Sequence, residues 1–139
     1  MELLETMNKA TALVHGQAKD LAPVDNGQLA GSIHMKVSKK GEKIEGRVYT
    51  NVEYAPYVEF GTGIKGNGTY PHQVEGLSLE YKDKGWAYFD EDKDEWIYTK
   101  GQEAQPYMYP ALNDHKKTIK KMFKDAVNTK LKENSKGGQ

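Results

Sequence analysis

Ten residues in the middle of the chain, Tyr54-Ala55-Pro56-Tyr57-Val58-Glu59-Phe60-Gly61-Thr62-Gly63, combine three aromatic side chains, a proline and two glycines. Aromatic side chains need burial, either in the chain's own core or against a partner. Proline fits the first turn of a helix, and glycine adopts positive φ angles that other residues avoid. The stretch therefore predicts a short helix over 54–60 followed by a turn, with Gly61 or Gly63 at positive φ.

The residues before this stretch predict one helix and two strands. Residues 2–21 carry apolar side chains at steps of three and four, which is typical of an amphipathic helix; these are Leu3, Met7, Ala10, Val14, Ala18 and Leu21. Alternating side chains from Ile33 to Val37 predict a strand with one buried face. A turn at 39–42 leads into a second strand over about 43–50, which predicts an antiparallel hairpin.

The residues after it predict a loop, a second hairpin and a last helix. Residues 61–76 hold five glycines and a proline without periodicity, so we expect a loop that is mobile in the free subunit and becomes ordered on assembly. Aromatic-rich strands at 86–89 and 95–99 flank an acidic turn. The last helix is predicted over about 110–133, with an apolar face made of Leu112, His115, Ile119, Met122, Ala126 and Val127.

These elements predict a single α+β domain over residues 1–134, with 135–139 as a disordered tail. We expect Val14 and Leu21 of the first helix, and Ile119 and Phe123 of the last, to be buried against the sheet.

The composition describes a polar, neutral chain of 139 residues. Apolar residues make up 37%, the formal net charge is zero and there is no cysteine, while the mean hydropathy is −0.84. These values favour a small domain completed by assembly, and they exclude disulfides and zinc–thiolate sites. The first residues lack a basic region followed by an apolar one, and no run is long enough to span a bilayer, so we expect synthesis inside the cell and no membrane contact.

Three motifs resemble ligand-binding sites, but each lacks neighbouring residues that such a site needs. Gly61-x-Gly63-x-x-Gly66 matches a dinucleotide-binding string, but Asn67-Gly68-Thr69-Tyr70-Pro71 cannot start the helix that the pyrophosphate needs. Asp90-x-Asp92-x-Asp94 lacks the glycine and glutamate of a calcium loop. The four histidines show no metal-ligand spacing. We therefore predict no catalytic residues, no cofactor and no metal, and hence no enzyme.

Two features leave alternatives open. The lysines of the last helix predict either a solvated face or a face that contacts DNA phosphates. Trp86 and Trp96 either pair across the second hairpin as core or are exposed as a docking patch.

Three blocks of the sequence together resemble a family of small neck proteins from siphophages. They are Ala22-Pro23-Val24-Asp25-Asn26-Gly27-Gln28-Leu29 with Ser32-Ile33, then Tyr54–Gly63, then Gln105-Pro106-Tyr107-Met108-Tyr109-Pro110-Ala111-Leu112. Their order and spacing match that family and frame most of the chain. Asn26 stands where the family usually has Thr, and Tyr109 where it usually has Arg.

The resemblance implies a head–tail joining or tail-completion protein of a phage or prophage, located in the neck or tail of the virion and made in the bacterial cytoplasm. Such proteins form a ring, here expected to be a hexamer, between the head-closure complex and the tail-tube or tail-terminator proteins, and DNA passes through it. The implied fold is an antiparallel sheet with the first and last helices packed on it. We expect these residues to form the subunit or partner interface: Tyr54, Tyr57, Glu59, Phe60, Gly61, Thr62, Gly63, Ile64, Tyr70, Pro71, Trp86 and Trp96.

Overall fold

The computed structural model describes residues 2–23 and 27–137. The elements in chain order are α1 Glu2–Leu21, α2 Gly27–Gly31, β1 His34–Lys40, β2 Lys43–Tyr49, α3 Ala55–Phe60, α4 Gly63–Gly66, β3 Trp86–Asp90, β4 Glu95–Thr99, α5 Met108–Asp114 and α6 Lys116–Gly137. Each pair of strands forms its own two-stranded antiparallel sheet. This confirms the α+β class, with two small sheets instead of one. No helix in the described ranges is both long enough and apolar enough to cross a membrane.

The chain divides into two compact units. We call residues 1–51 with 107–139 the terminal unit and residues 52–106 the central unit. The single domain predicted over 1–134 stays a prediction.

In the terminal unit, α1 packs on the β1–β2 hairpin, as expected. Val37 pairs with Gly46 in the antiparallel register. A Cβ atom on Gly46 would overlap Thr11 Oγ1 and would lie 2.9 Å from Met7 Sδ. The absence of a side chain at Gly46 therefore lets the helix approach the sheet closely. His15 Nε2 lies 2.8 Å from the Ile33 carbonyl oxygen and ties α1 to the start of β1.

The core of the terminal unit is built mostly from small side chains. Its buried apolar residues are Ala10, Val14, Ala18, Ala22, Leu29, Ile33, Tyr107 and Ala111. Tyr107 and Leu29 are the largest fully buried side chains described. Neither was predicted to be buried, because Leu29 lies in a helix too short to show a period and Tyr107 lies in a predicted extended segment.

The last helix differs from the prediction in three ways. It is broken at His115 (φ −104°, ψ 4°) into α5 and α6. The predicted apolar face therefore does not continue from α5 into α6, and Leu112 is 52% exposed. α6 packs on α1 and α5 instead of on the sheet, and Ile119 and Phe123 are half-buried there. The helix also continues to Gly137, which makes residues 135–137 of the predicted tail helical, while 138–139 lie outside the described residues.

Four side chains can be compared with the predicted burial more closely. Val14 is buried as expected, whereas Leu21 at the end of α1 is 38% exposed. Val127 is 42% exposed, because the side of α6 that is partly covered carries Met122 and Ala126 with Ile119. His115 is half-buried, with Nε2 3.4 Å from Gln17 Oε1 on α1.

The central unit contains the predicted short helix and the predicted second hairpin. α3 has proline at its first or second position, as expected. Both strands of the hairpin form, with Phe89 opposite Trp96 and Trp86 opposite Thr99. The predicted loop over 61–76 is wrong at its start, because α4 occupies Gly63–Gly66. Its mobility stays a prediction.

Candidate functional site

The segment after α3 is held by backbone hydrogen bonds to the segment after β4. Thr62 and Gln102 form an isolated antiparallel bridge, with Thr62 N donating to Gln102 O at 2.9 Å and Gln102 N to Thr62 O at 3.0 Å. Lys65 N donates to Lys100 O at 3.0 Å. Thr69 Oγ1 accepts a bond from Ala104 N at 2.8 Å. Residues 61–69 are therefore anchored along much of their length.

The three glycines of the Gly61-x-Gly63-x-x-Gly66 string make this close approach possible. Gly61 and Gly63 both have positive φ, at 78° and 64°, which confirms the prediction. A Cβ on Gly61 would lie 2.7 Å from Ala104 N, and one on Gly63 would lie 2.6 Å from Lys100 O. A Cβ on Gly66 would lie 2.8 Å from Gln102 O. These three glycines thus allow the backbone of 61–66 to pack closely against the backbone of 100–104.

An aromatic cluster supports the other side of the same segment. The Phe60 ring contacts Tyr70 edge-on at 5.0 Å between centroids, and Tyr70 contacts His72 at 5.3 Å. The Tyr81 hydroxyl donates to the Phe60 carbonyl oxygen at 2.8 Å. Burial raises the pKa of Tyr81 above its usual value, because the phenolate is less well solvated there.

An open groove of about 730 Å³ lies within the central unit, and we call it the aromatic groove. Its lining residues are Tyr54, Tyr57, Gly61, Thr62, Gly63, Glu80, Tyr81, Lys82, Trp86, Tyr88, Thr99, Gly101 and Gln102. Five of these are aromatic. Lys82 Nζ lies 4.7 Å from the centroid of the Trp86 ring, in cation–π geometry. The Tyr54 hydroxyl is buried, with no hydrogen-bond partner among the described residues.

The groove brings half of the predicted interface residues together: Tyr54, Tyr57, Gly61, Thr62, Gly63 and Trp86. Of these, Tyr57 is 56% exposed, while Gly61 and Gly63 are buried and contribute through the backbone. Sequence reasoning missed Tyr81, Lys82, Tyr88 and Gln102. The only available signal was the density of aromatic residues around the second hairpin.

The other predicted interface residues lie outside the groove. Glu59 is only 5% exposed and, in this conformation, is not available to a partner. Phe60 and Tyr70 contact each other, as described above. Ile64 is 46% exposed, and Pro71 is also exposed.

Trp96 lies on one face of the β3–β4 hairpin, which we call the outer hairpin face. In the strand register, Ala87 is opposite Tyr98 and Phe89 is opposite Trp96, so these four side chains share one face of the two-stranded sheet. Trp96 is 70% exposed, Tyr98 65% and Phe89 43%. The Phe89 and Trp96 rings contact at 5.6 Å. Of the two sequence alternatives, Trp96 fits the exposed patch, and the half-buried Trp86 does not pair with it.

The acidic turn at the end of this hairpin is organised by its own first residue. Asp90 Oδ1 accepts hydrogen bonds from Asp92 N at 3.0 Å and Lys93 N at 3.2 Å. Asp94 has φ 52°. The described residues contain no group of three or more His, Cys, Asp or Glu side chains arranged to hold a metal ion. The central unit therefore presents exposed aromatic side chains, a residue class that is enriched in protein–protein interfaces.

Comparison with known proteins adds one finding. Residues 3–61 match the family model described as "Bacteriophage HK97-gp10, putative tail-component". Neither a curated protein nor a solved structure matches the chain. The matched range contains α1, α2, the first hairpin and α3, and it ends at Gly61. Over these residues, which are fewer than half of the chain, the sequence is similar to the HK97-gp10-like family.

Proposed function

We propose that this chain is a structural neck protein of a long-tailed phage that completes the tail and joins it to the head. Six copies form a ring, with the head-closure complex on one side and tail-tube or tail-terminator proteins on the other, and DNA passes through the lumen. The family match over residues 3–61 supports a role as a tail component. The exposed aromatic side chains of the central unit support assembly with neighbours.

The observation that carries the proposal is the aromatic surface of the central unit. Tyr57, Trp96 and Tyr98 are each more than half exposed, and Tyr88 and Phe89 are more than two-fifths exposed. Large exposed apolar patches often mark interaction sites, and aromatic residues are enriched in protein–protein interfaces. We therefore take this surface as the part of the chain that neighbours cover.

A ring needs two different surfaces on each subunit, because one face of a subunit meets another face of the next. The aromatic groove is an open cavity, while the outer hairpin face is one side of a two-stranded sheet. Both are open to solvent in the isolated chain. The central unit therefore offers two distinct surfaces that neighbours in the particle can cover.

A structural role also fits the chemistry of the groove. Its lining contains only two formally charged side chains, Glu80 and Lys82. No pairing of a nucleophile with a base is found among these lining residues, and such a pairing is the usual sign of covalent catalysis. We propose a role in binding and not in turnover.

The test is complementation of a phage that lacks this gene. We expect the deletion to produce DNA-filled heads and separate tails, and the wild-type chain supplied in trans to restore joined particles. Tyr57→Ser in the groove should restore few of them, whereas Leu77→Ser, at a residue 38% exposed outside the groove lining, should restore them fully. Joined, infectious particles without the gene would reject the proposal.

A second candidate function, binding of nucleic acid, rests on the lysines of α6. Lys116, Lys117, Lys120, Lys121, Lys124, Lys130 and Lys132 are all exposed. Duplex DNA binding by the free chain, with an affinity that falls steeply with salt, would favour this candidate. Binding that is weak at all salt concentrations would remove it.

A further inference from the structure

We propose that the outer hairpin face of one copy docks on the exposed side of α6 of the next copy, with the acidic turn 90–95 against the first lysines of α6. This inference rests on the proposed ring, and it names the contact that would build it. The occupant of each surface is thus a second copy of this chain.

The outer hairpin face has the composition of a protein–protein interface but is exposed to solvent. Its three large side chains, Phe89, Trp96 and Tyr98, are all substantially exposed. At one end of this face, residues 90–95 carry five carboxylates and one lysine. An aromatic centre with a charged rim is the usual anatomy of a protein–protein contact.

The exposed side of α6 has a matching arrangement. Lys116, Lys120, Lys124, Val127 and Leu131 are spaced by three and four residues and so lie along one side of the helix. All five are exposed, with Val127 at 42% and Leu131 at 60%. These five residues form a stripe that is basic in its first half and apolar in its second half. The hairpin correspondingly is acidic at its tip and carries aromatic side chains along its strands.

The two surfaces also have comparable lengths. A five-residue strand extends about 17 Å at about 3.4 Å per residue. The helical stripe from Lys116 to Leu131 extends about 22 Å at about 1.5 Å per residue. The acidic tip can therefore meet the lysines while the aromatic residues reach Val127 and Leu131.

Charge complementarity identifies a second copy as the partner. The chain is neutral, but the central unit holds 5 Lys+Arg and 11 Asp+Glu, whereas the terminal unit holds 15 and 9. The units thus carry formal charges of −6 and +6. Opposite charges on the two meeting surfaces favour correct encounter and disfavour pairing of like surfaces. Head-to-tail contact between copies brings the two signs together around a ring.

Duplex DNA is a poorer occupant of the same helix face. DNA would be attracted to the lysines, but Val127 and Leu131 continue the stripe and offer nothing to phosphates. DNA would also leave the outer hairpin face uncovered. A second copy accounts for both surfaces at once.

The first test is zero-length carbodiimide coupling of lysines to carboxylates in an equal mixture of ¹⁴N- and ¹⁵N-labelled chains. We expect coupled peptides that join residues 91–95 to residues 116–124 and that contain one peptide of each isotope. Coupling only within one isotope would show an intramolecular contact and overturn the proposal. Absence of any coupling between these two segments would overturn it as well.

The second test exchanges the charges. One variant carries Glu91→Lys, Asp92→Lys and Glu95→Lys, and the other carries Lys116→Glu, Lys120→Glu and Lys124→Glu. Each variant alone should self-associate at least about tenfold more weakly than wild type in sedimentation experiments, because like charges then face each other. Mixing the two variants should restore association, since each then meets its complement. A control with Lys36→Glu, Lys40→Glu and Lys43→Glu, also exposed, should associate as wild type does.

The outcomes separate this contact from the ring itself. If rings form and both exchanged variants still join heads to tails, the ring stands and this contact is wrong. If the variants fail alone and are not rescued by mixing, the contact is equally wrong. Loss of DNA binding by the lysine variant, with self-association unchanged, would assign α6 to nucleic acid instead.

Discussion

The terminal unit and the central unit are stabilised by different kinds of interaction. Eight of the nine apolar residues that the structure shows as buried lie in the terminal unit, and only Ala55 lies in the central unit. The central unit instead keeps its shape through glycines in close backbone contact and through hydrogen bonds between 61–69 and 100–104. Most of its aromatic side chains remain partly exposed.

The difference indicates how folding and assembly are divided between the units. A unit that buries its apolar side chains is stabilised by the hydrophobic effect within one chain. A unit that leaves aromatic surface exposed gains that stabilisation when a neighbour covers it. We infer that the terminal unit carries the stability of the free chain, and that the central unit is completed by assembly.

The largest expected effect is on the terminal core, where one chemical change can be made at two sites. Leu29 is 1% exposed and Leu131 is 60% exposed. Leu29→Ala should lower the free energy of unfolding by about 2–5 kcal/mol, because it removes buried methyl groups and leaves a cavity. Leu131→Ala should change it by less than about 0.5 kcal/mol. Urea titration followed by circular dichroism measures both, and equal losses would contradict the assignment of the core.

A smaller effect is expected at the glycines of the central unit. Gly63 and Gly68 both have positive φ, at 64° and 79°, but a Cβ on Gly68 meets nothing within 4 Å. Gly68→Ala should therefore cost only the strain of the left-handed conformation, about 1–2 kcal/mol.

Gly63→Ala should cost about 1–3 kcal/mol more than Gly68→Ala, because the new methyl group overlaps Lys100 O and Trp86. Thermal unfolding of the two variants side by side gives this difference. Equal melting temperatures would mean that the close approach of the two segments is not maintained in solution.

The sequence predicted most of the elements because their patterns are local. The helix over 2–21, both hairpins, the short helix with Pro56 and a positive φ at Gly61 or Gly63 all follow from periodicity and turn chemistry. These signals depend on neighbours in the chain. They required no knowledge of tertiary contacts.

What the sequence did not predict depends on contacts between distant residues. The glycines between 61 and 66 suggested a loop. They are needed because a side chain there would overlap the backbone of 100–104, which lies about forty positions away in the sequence. The break at His115 changed which side of the last helix is covered. The groove joins residues from 54 to 102, and no local pattern marks Tyr81 or Gln102 as neighbours of Tyr54.

A still smaller effect is expected at Tyr81, and it depends on pH. Tyr81→Phe removes the hydrogen bond to Phe60 O and should cost about 0.5–1.5 kcal/mol at neutral pH. The raised pKa means that the folded state holds the Tyr81 proton more tightly than the unfolded state, so this residue's contribution is full below pH 10 and falls as pH rises beyond it.

The stability gap between wild type and Tyr81→Phe should therefore narrow above pH 10, which urea titrations at neutral and alkaline pH can measure. Tyr98→Phe, at a residue 65% exposed, is the control and should show almost no gap at neutral pH. A gap that widens with alkalinity would contradict the assigned environment of Tyr81.

The smallest expected effect on stability is at Trp96. Trp96→Ser removes a side chain that is 70% exposed and whose ring contacts Phe89, and it should change the free energy of unfolding by less than about 1 kcal/mol. The same change should reduce the number of heads joined to tails in the complementation assay. A large loss of stability would show that Trp96 belongs to the core of the central unit and not to a contact surface.

The most direct test of this division of roles is hydroxyl-radical footprinting of Trp96 in the free chain, kept too dilute to self-associate, and in assembled phage particles. We predict rapid oxidation in the free chain and at least severalfold slower oxidation in particles, because a neighbour covers the outer hairpin face there. Leu77, exposed and outside the groove lining, serves as the internal reference. Equal oxidation of Trp96 in both states would contradict the claim that the central unit is completed by assembly.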